Sequence, residues 1–234
     1  MAIVSSILGK IKGKLGNVSC FETRDGKTVM RALPPKRKVG TLEQQRREEE
    51  FGTLSRCALL LPHVVKKGFP KGGGTAVGKR GFIQANMGKG AVVVEAVNPE
   101  REFVRREGEP KYFRGRIDYT RIQVAGGVVT PPSVSIELPG QGATEQWVKF
   151  VNQGSVREGF DCFREDRVYG IAFCPSKRGV QVVEIGVRGE TAETENAFST
   201  RHWQGDIYFY AFATSADGKR ASASVYLGLL AGHS

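Results

Sequence analysis

The period of the apolar positions changes along the chain. Ile3, Ile7, Ile11 and Leu15 recur at every fourth place, with Val4 and Leu8 beside them and Lys10, Lys12 and Lys14 interleaved. That spacing suits an amphipathic helix, even one lying on a membrane surface. Gly9, Gly13 and Gly16 oppose it, since each glycine costs about 1 kcal/mol inside a helix. They favour an irregular or extended arm that orders against a partner. Across 17–33 the period is two. Val18, Cys20 and Glu22 alternate with Ser19, Phe21 and Thr23, and Asp25-Gly26 precedes Thr28-Val29-Met30-Arg31. Asp-Gly between such runs predicts a β-hairpin closed by a type I′ turn. Pro34-Pro35-Lys36-Arg37-Lys38 then reads as an extended basic linker, and its three cations also fit a small nucleic-acid patch.

From Thr41 the pattern becomes helical. Thr41-Leu-Glu-Gln44 is a capping box, in which the hydroxyl and the amide satisfy each other's free backbone donors. Leu42, Phe51, Leu54, Cys57, Ala58 and Leu61 form an apolar stripe, and the polar run 44–50 forms an exposed face. Pro62 should kink or restart the helix, which runs to Lys67 before Gly68 closes it. Lys71-Gly-Gly-Gly-Thr75 has the glycine density of a phosphate loop. It lacks that loop's spacing, and no strand precedes it, which argues against nucleotide binding. A further helix is predicted over 76–87, with Gly88 at its end.

Beyond residue 90 the period falls to two again. The runs 91–97, 117–124, 134–138, 146–151, 168–173, 180–187, 206–214 and 221–227 are short and rich in β-branched or aromatic residues. Pro131-Pro132, Pro139 to Gly142, Pro175 to Gly179 and Asp217-Gly218 separate them. Short strands so punctuated predict a C-terminal β-sandwich of immunoglobulin or fibronectin type III character. In its last hairpin Ala221, Ala223, Val225 and Leu227 should face inward and Ser222, Ser224 and Tyr226 outward, with Ile207, Phe209 and Ala211 opposite. Tyr208, three residues after Gly205, is placed to bond back to the backbone at an inter-sheet corner, and Trp203 reads as core filler. The predicted architecture is mainly β with a helical N-terminal segment: a basic glycine-rich arm and hairpin over 1–40, a helical segment and connection over 41–116, and the sandwich over 117–234.

Composition sharpens this picture through charge. In 234 residues there are 35 basic and 24 acidic side chains, a net +11. Residues 1–80 hold 17 basic and 6 acidic groups, and the remainder balances to zero. The excess belongs to the N-terminal third, which makes Lys10, Lys12, Lys14, Arg24, Lys27, Arg31, Lys36, Arg37 and Lys38 the candidate partner-binding residues. No apolar run approaches the length of a membrane span. The N-terminus lacks the charged start of a secretory signal, so a cytoplasmic protein, or a virion or assembly component without a signal peptide, is expected.

Cys20, Cys57, Cys162 and Cys174 lie far apart and only three histidines are present. A structural zinc site needs closely spaced ligand pairs. Neither a metal nor another cofactor is expected, and the thiols read as reduced and partly buried. Asp161, Cys162, Glu165 and Asp166 cluster in sequence as a solvated loop. Cys162 and His202 could form a nucleophile and base, but no catalytic motif surrounds either.

The order Gly9, Gly13, Lys14, Gly16, Asn17, Arg31, Pro34, Thr41, Gln44, Arg47, Phe51, Gly68-Phe69, Asn86 resembles an uncharacterised bacterial family whose N-terminus reads GxxxGKxGN, R, P, TxxQxxR, F, GF. Ile117-Asp-Tyr119, Asp166-Arg-Val-Tyr169 and the run from Asp217 to Gly228 are similar to that family's strand ends. The arm is also similar to small structural proteins of bacteriophage head-to-tail gene clusters. The family's function is unknown, so that resemblance implies little, while the arm's likeness to phage proteins implies an assembly role. The glycine-rich arm and hairpin, poorly able to bury themselves, point to a non-enzymatic structural or interaction protein that docks or self-associates, with strand addition by 17–33 as one route. The alternative from composition is sequence-independent nucleic-acid binding by the basic N-terminal third.

Overall fold

The computed structural model describes residues 2–4, 13–33, 40–72, 74–100, 111–138, 147–154, 161–194, 198–199, 203 and 205–232. The chain is mainly β, with antiparallel sheets and, among the described residues, three helices. It divides into two compact units: Met1–Glu43 with Phe103–Pro110, and Gln44–Glu102 with Lys111–Ser234.

In the first unit β1 (Ala2–Val4), β2 (Gly13–Leu15), β3 (Val18–Glu22) and β4 (Thr28–Ala32) form one sheet in the order β1-β4-β3-β2. The described parts of the arm are therefore extended, in line with its glycines, and its fourfold apolar spacing makes no helix there. The hairpin at Asp25-Gly26 forms with a different turn. Gly26 N–H donates to Thr23 O at 3.0 Å, Thr23 N–H donates to Lys27 O at 2.9 Å, and Gly26 has φ +74°. Asp25 is not at positive φ, so this is a type I turn followed by a left-handed glycine rather than type I′. At the β2–β3 connection Gly16, at φ +57°, takes the first central position of a two-residue turn.

In the second unit α1 spans Leu42–Leu60, α2 Pro62–Gly68 and α3 Gly78–Asn86. Pro62 restarts the helix as predicted, because its fixed φ suits a first turn. Gly68 has another role. A Cβ there would stand 2.7 Å from Ala125 Cβ and 2.8 Å from Val124 O, so the missing side chain lets α2 reach the segment 122–126. Gly88 follows α3 at φ +73°, the left-handed close that the sequence suggests.

The strands that follow are β5 (Val92–Ala96), β6 (Phe113–Ile117), β7 (Val134–Glu137), β8 (Trp147–Gln153), β9 (Arg167–Cys174), β10 (Gly179–Val187), β11 (Thr191–Glu193), β12 (Phe198–Ser199), β13 (Ile207–Thr214) and β14 (Val225–Leu230). β5 pairs with β6, and the central sheet runs β10-β9-β13-β14. β8 pairs with β7, β11 and β12.

Alternate residues of the central sheet enter two cores. Tyr169, Ile171, Phe173, Tyr210 and Phe212 join Leu54, Cys57, Leu61, Val65 and Phe82 of the helices. Val168, Ala172, Cys174, Ile207 and Phe209 join Val148 and Phe150 of β8. Helices and C-terminal strands thus share one core, and the 116/117 division read from the sequence crosses it. Trp203 packs against the second core as expected.

Three further expectations, for the segments after β6 and around β13 and β14, differ from the structure. The run 117–124 is not a strand: β6 ends at Ile117, and Asp118 accepts from Thr120 N–H and Oγ1 at 3.0 and 2.6 Å, which turns the chain. Ile122 and Val124 are buried from an irregular segment. Ser222 and Ser224 are buried rather than outward. Their hydroxyls accept the N–H groups of Ala213 and Val124, each at 2.9 Å, and β14 starts only at Val225. The tyrosine hydroxyl that meets backbone is that of Tyr210, 2.6 Å from Tyr119 O, two residues past Tyr208. Burial pushes its pKa up.

Gly68→Ala should destabilise the protein by about 1–3 kcal/mol, the usual result of overpacking, whereas Gly52→Ala, whose Cβ would meet only the end of Arg56 at 3.7 Å, should not. Urea unfolding of the two variants checks this; equal midpoints would mean that α2 is not held against Ala125.

Candidate partner-binding surface

Register places part of the predicted basic set on one sheet face. Ser19 of β3 pairs with Lys14 of β2 and with Arg31 of β4. Directly opposed residues share a face, so Lys14, Ser19 and Arg31 form a row across three strands, about 10 Å from end to end. Phe21, two residues beyond Ser19, lies on the same face and is 43% exposed. Arg24 and Lys27 are exposed in the turn that closes β3 and β4. Lys10, Lys12, Lys36, Arg37 and Lys38 lie outside the described residues.

The same register removes one route considered from sequence. β1 pairs with β4 and β2 with β3, so the 17–33 hairpin is interior to a four-stranded sheet and its edges are already taken along much of their length. Strand addition would have to use or displace the short flanking strands.

Among the described residues the candidate catalytic groups do not converge. All four cysteines are buried, and none is in a disulfide. Burial raises Cys57 to about 12, which suppresses thiolate chemistry. His202 lies outside the described residues. The loop cluster splits: Asp161 and Glu165 are exposed, Cys162 and Asp166 buried. Asp166 Oδ2 accepts from Arg188 Nε at 3.2 Å and from Phe163 N–H at 3.1 Å. The Arg188 guanidinium also donates to the carbonyls of Thr130 and Pro131. This buried pair ties three chain segments together and offers no free carboxylate. Among the described residues no three His, Cys, Asp or Glu side chains gather where a metal could bind.

A second charged centre was not legible in the sequence. Glu49, placed by the helical pattern on an exposed polar face, is 7% exposed. Lys111 Nζ donates to it at 2.7 Å, Arg56 Nη2 at 3.1 Å and Gly115 N–H at 3.4 Å. Burial pushes the Glu49 carboxyl up, but hydrogen bonds from Lys111, Arg56 and Gly115 outweigh it and leave the pKa below its ordinary value. Only tertiary folding brings Lys111 and Gly115 to α1.

A third feature is a groove of about 780 Å³ lined by Phe51, Lys79, Arg80, Ile83, Gln84 and Met87. Phe51 was expected in the core, but it is 49% exposed here. Among the described residues no helix is long and apolar enough to cross a membrane.

Against known proteins, no family model, no curated sequence and no solved structure matches the chain.

A carboxylate with a lowered folded pKa stabilises the protein above its unfolded pKa, and that contribution is lost as pH falls through the folded value. The urea midpoint of the wild type should therefore drop below pH 4.5, the ordinary glutamate value. Glu49→Gln should lower the midpoint at pH 7 and flatten that acid limb. An unchanged slope in the variant would remove Glu49 as its source.

Proposed function

We propose that this chain is a non-enzymatic structural or interaction protein that docks through its N-terminal unit, as a subunit of a phage-like or other bacterial assembly. The observation that carries the reading is the N-terminal sheet itself. It belongs to a separate compact unit and sets an exposed Phe21 beside the Lys14–Ser19–Arg31 row. An exposed aromatic bordered by cations is the usual make-up of an interface anchor. The resemblance of the arm motifs to those of the bacterial family and of small phage structural proteins points the same way.

The remainder serves as a rigid body, read as an immunoglobulin-like sandwich with helices on one outer face. Strand order supports this. The sequence β7, β8, β9, β10, β11/β12, β13, β14 divides into β7-β8-β11/β12 and β10-β9-β13-β14. Immunoglobulin constant domains place the first, second, fifth and fourth strands against the third, sixth and seventh; the grouping here agrees except that the fourth strand, β10, joins the third, sixth and seventh.

Sequence-independent nucleic-acid binding is a second reading, favoured by Phe21 sharing a face with Lys14 and Arg31. Single-strand platforms combine such stacking rings with cations.

Light scattering of the full chain over a concentration series should give a mass above one chain, and Phe21→Ser with Arg31→Glu should return it to a monomer. A wild type that stays monomeric at every concentration refutes self-association through this face. Titration with a single-stranded oligonucleotide over a salt series decides the second reading. Four phosphates neutralised by Lys14, Arg24, Lys27 and Arg31 give a log–log slope of about −2.8, and a flat response eliminates it.

A further inference from the structure

We propose that the groove between α1 and α3 is the docking site for an acidic amphipathic helix of a partner protein. It is independent of the N-terminal sheet, and all of its lining residues lie in the second unit.

The groove is a consequence of two helical stripes that emerge from the core. Phe51 continues the buried line of Leu54, Cys57, Ala58 and Leu61 one turn outward, yet is half exposed. On α3, Gly81, Phe82 and Asn86 face inward. Ile83 and Met87, four residues apart, are half-buried, packed against the core on one side and lining the groove on the other, with Lys79 and Arg80 one turn before Ile83. An apolar strip without a cover is a signature of an interaction site, and Met87 adds a side chain that adapts to varied partners.

The walls are fixed before any partner arrives. Asn86, fully buried, donates from Nδ2 to Gln123 O at 2.8 Å and accepts Gln123 N–H at 2.7 Å, which locks α3 to the irregular segment 122–126. The Glu50 carboxylate accepts Gly88 N–H at 2.6 Å and ties α1 to the end of α3. A groove held from both sides loses little ordering entropy on binding.

Charge selects the occupant. Lys79 and Arg80 line one end, no described carboxylate lines the groove, and neither cation belongs to an ion pair between described residues. Glu50, engaged with Gly88 N–H, lies beyond the other end of α3, and Glu48 is exposed on α1 three residues before Phe51. A partner carboxylate at the Lys79–Arg80 end completes the site. Its apolar side chains, spaced three or four residues apart, would lie along Phe51, Ile83 and Met87 in the helix-in-groove manner. α3 is nine residues long, about 13 Å, which matches two to three turns of such a helix. A small amphiphile fits less well. Sites for small ligands enclose about 70–90% of their surface, whereas Phe51, Lys79, Arg80 and Gln84 are all exposed on an open flank.

The test is a displayed library of random 16-residue peptides selected on the full chain, with circular dichroism confirming that the variants fold. Enriched peptides should carry Leu or Phe at i and i+3 or i+4 with Asp or Glu toward one end. They should bind at least tenfold more weakly to Met87→Glu and to Lys79→Glu with Arg80→Glu, and equally to Phe21→Ser. Peptides that bind these groove variants as well as wild type, peptides without acidic residues, or no enrichment at all would overturn the proposal. Saturable oleate binding lost in Met87→Glu, with no peptide enriched, would assign the groove to a lipid anion and overturn it equally.

Discussion

Strands β9 and β13 bury side chains on both faces, and this two-sided burial governs the arrangement of the second unit. Tyr169, Ile171, Phe173, Tyr210 and Phe212 need the helices as a cover, while Val168, Ala172, Ile207 and Phe209 need β8. A sheet in that position cannot use polar residues to mark an outer face. It relies on close fit instead. Gly170 brings the sheet to within contact of the Phe150 ring, where a Cβ would stand 2.8 Å away. Gly68 does the same for α2 against Ala125. Lys67 extends this helix contact by placing Nζ 3.9 Å over the Tyr169 ring.

The polar groups caught in this packing have structural work to do. Asp166 and Arg188 are both almost fully buried, and each satisfies backbone groups besides its partner. Removing one member of such a pair is far more costly than the net gain of making it. The pair therefore holds the loop before β9 and the turn after β10 in place. Glu49 does the same for Lys111 and Gly115 beside α1. Of the acidic cluster at 161–166, Asp166 is an anchor of the fold, and so is Glu49, which the sequence placed on an exposed face.

The proposed docking surfaces lie in what the packing leaves outside. The positive excess of the first 80 residues is presented in two different forms. On the N-terminal sheet, register lines Lys14 and Arg31 up beside an aromatic ring. On the helices, Lys79 and Arg80 border an apolar groove that Phe51 and Met87 leave uncovered. Both are cationic margins on apolar surface, suited to acidic or amphipathic partners.

Local chemistry was legible from the chain. Pro62 and Gly88 act through their own backbone preferences, and the hairpin over 17–33 follows from its alternation. The runs at 134–138, 168–173, 180–187 and 206–214 are strands because β-branched and aromatic residues favour that conformation wherever they pack. Other assignments failed for one reason. The period of a segment reports which side chains avoid water, but not whether a neighbour will cover the opposite side or turn the chain. Thus 117–124 alternates like a strand yet is buried as a loop once Asp118 turns it, and Ser222 and Ser224 are buried because Ala213 and Val124 need acceptors. Glu49 lies on a polar stretch but becomes an internal anchor when Lys111 arrives from 62 residues away. The sequence by itself determined the elements, the basic N-terminal third and the apolar stripes. Tertiary structure alone decided which stripes are covered, because burial is a property of surfaces brought together and not of the residues that carry them.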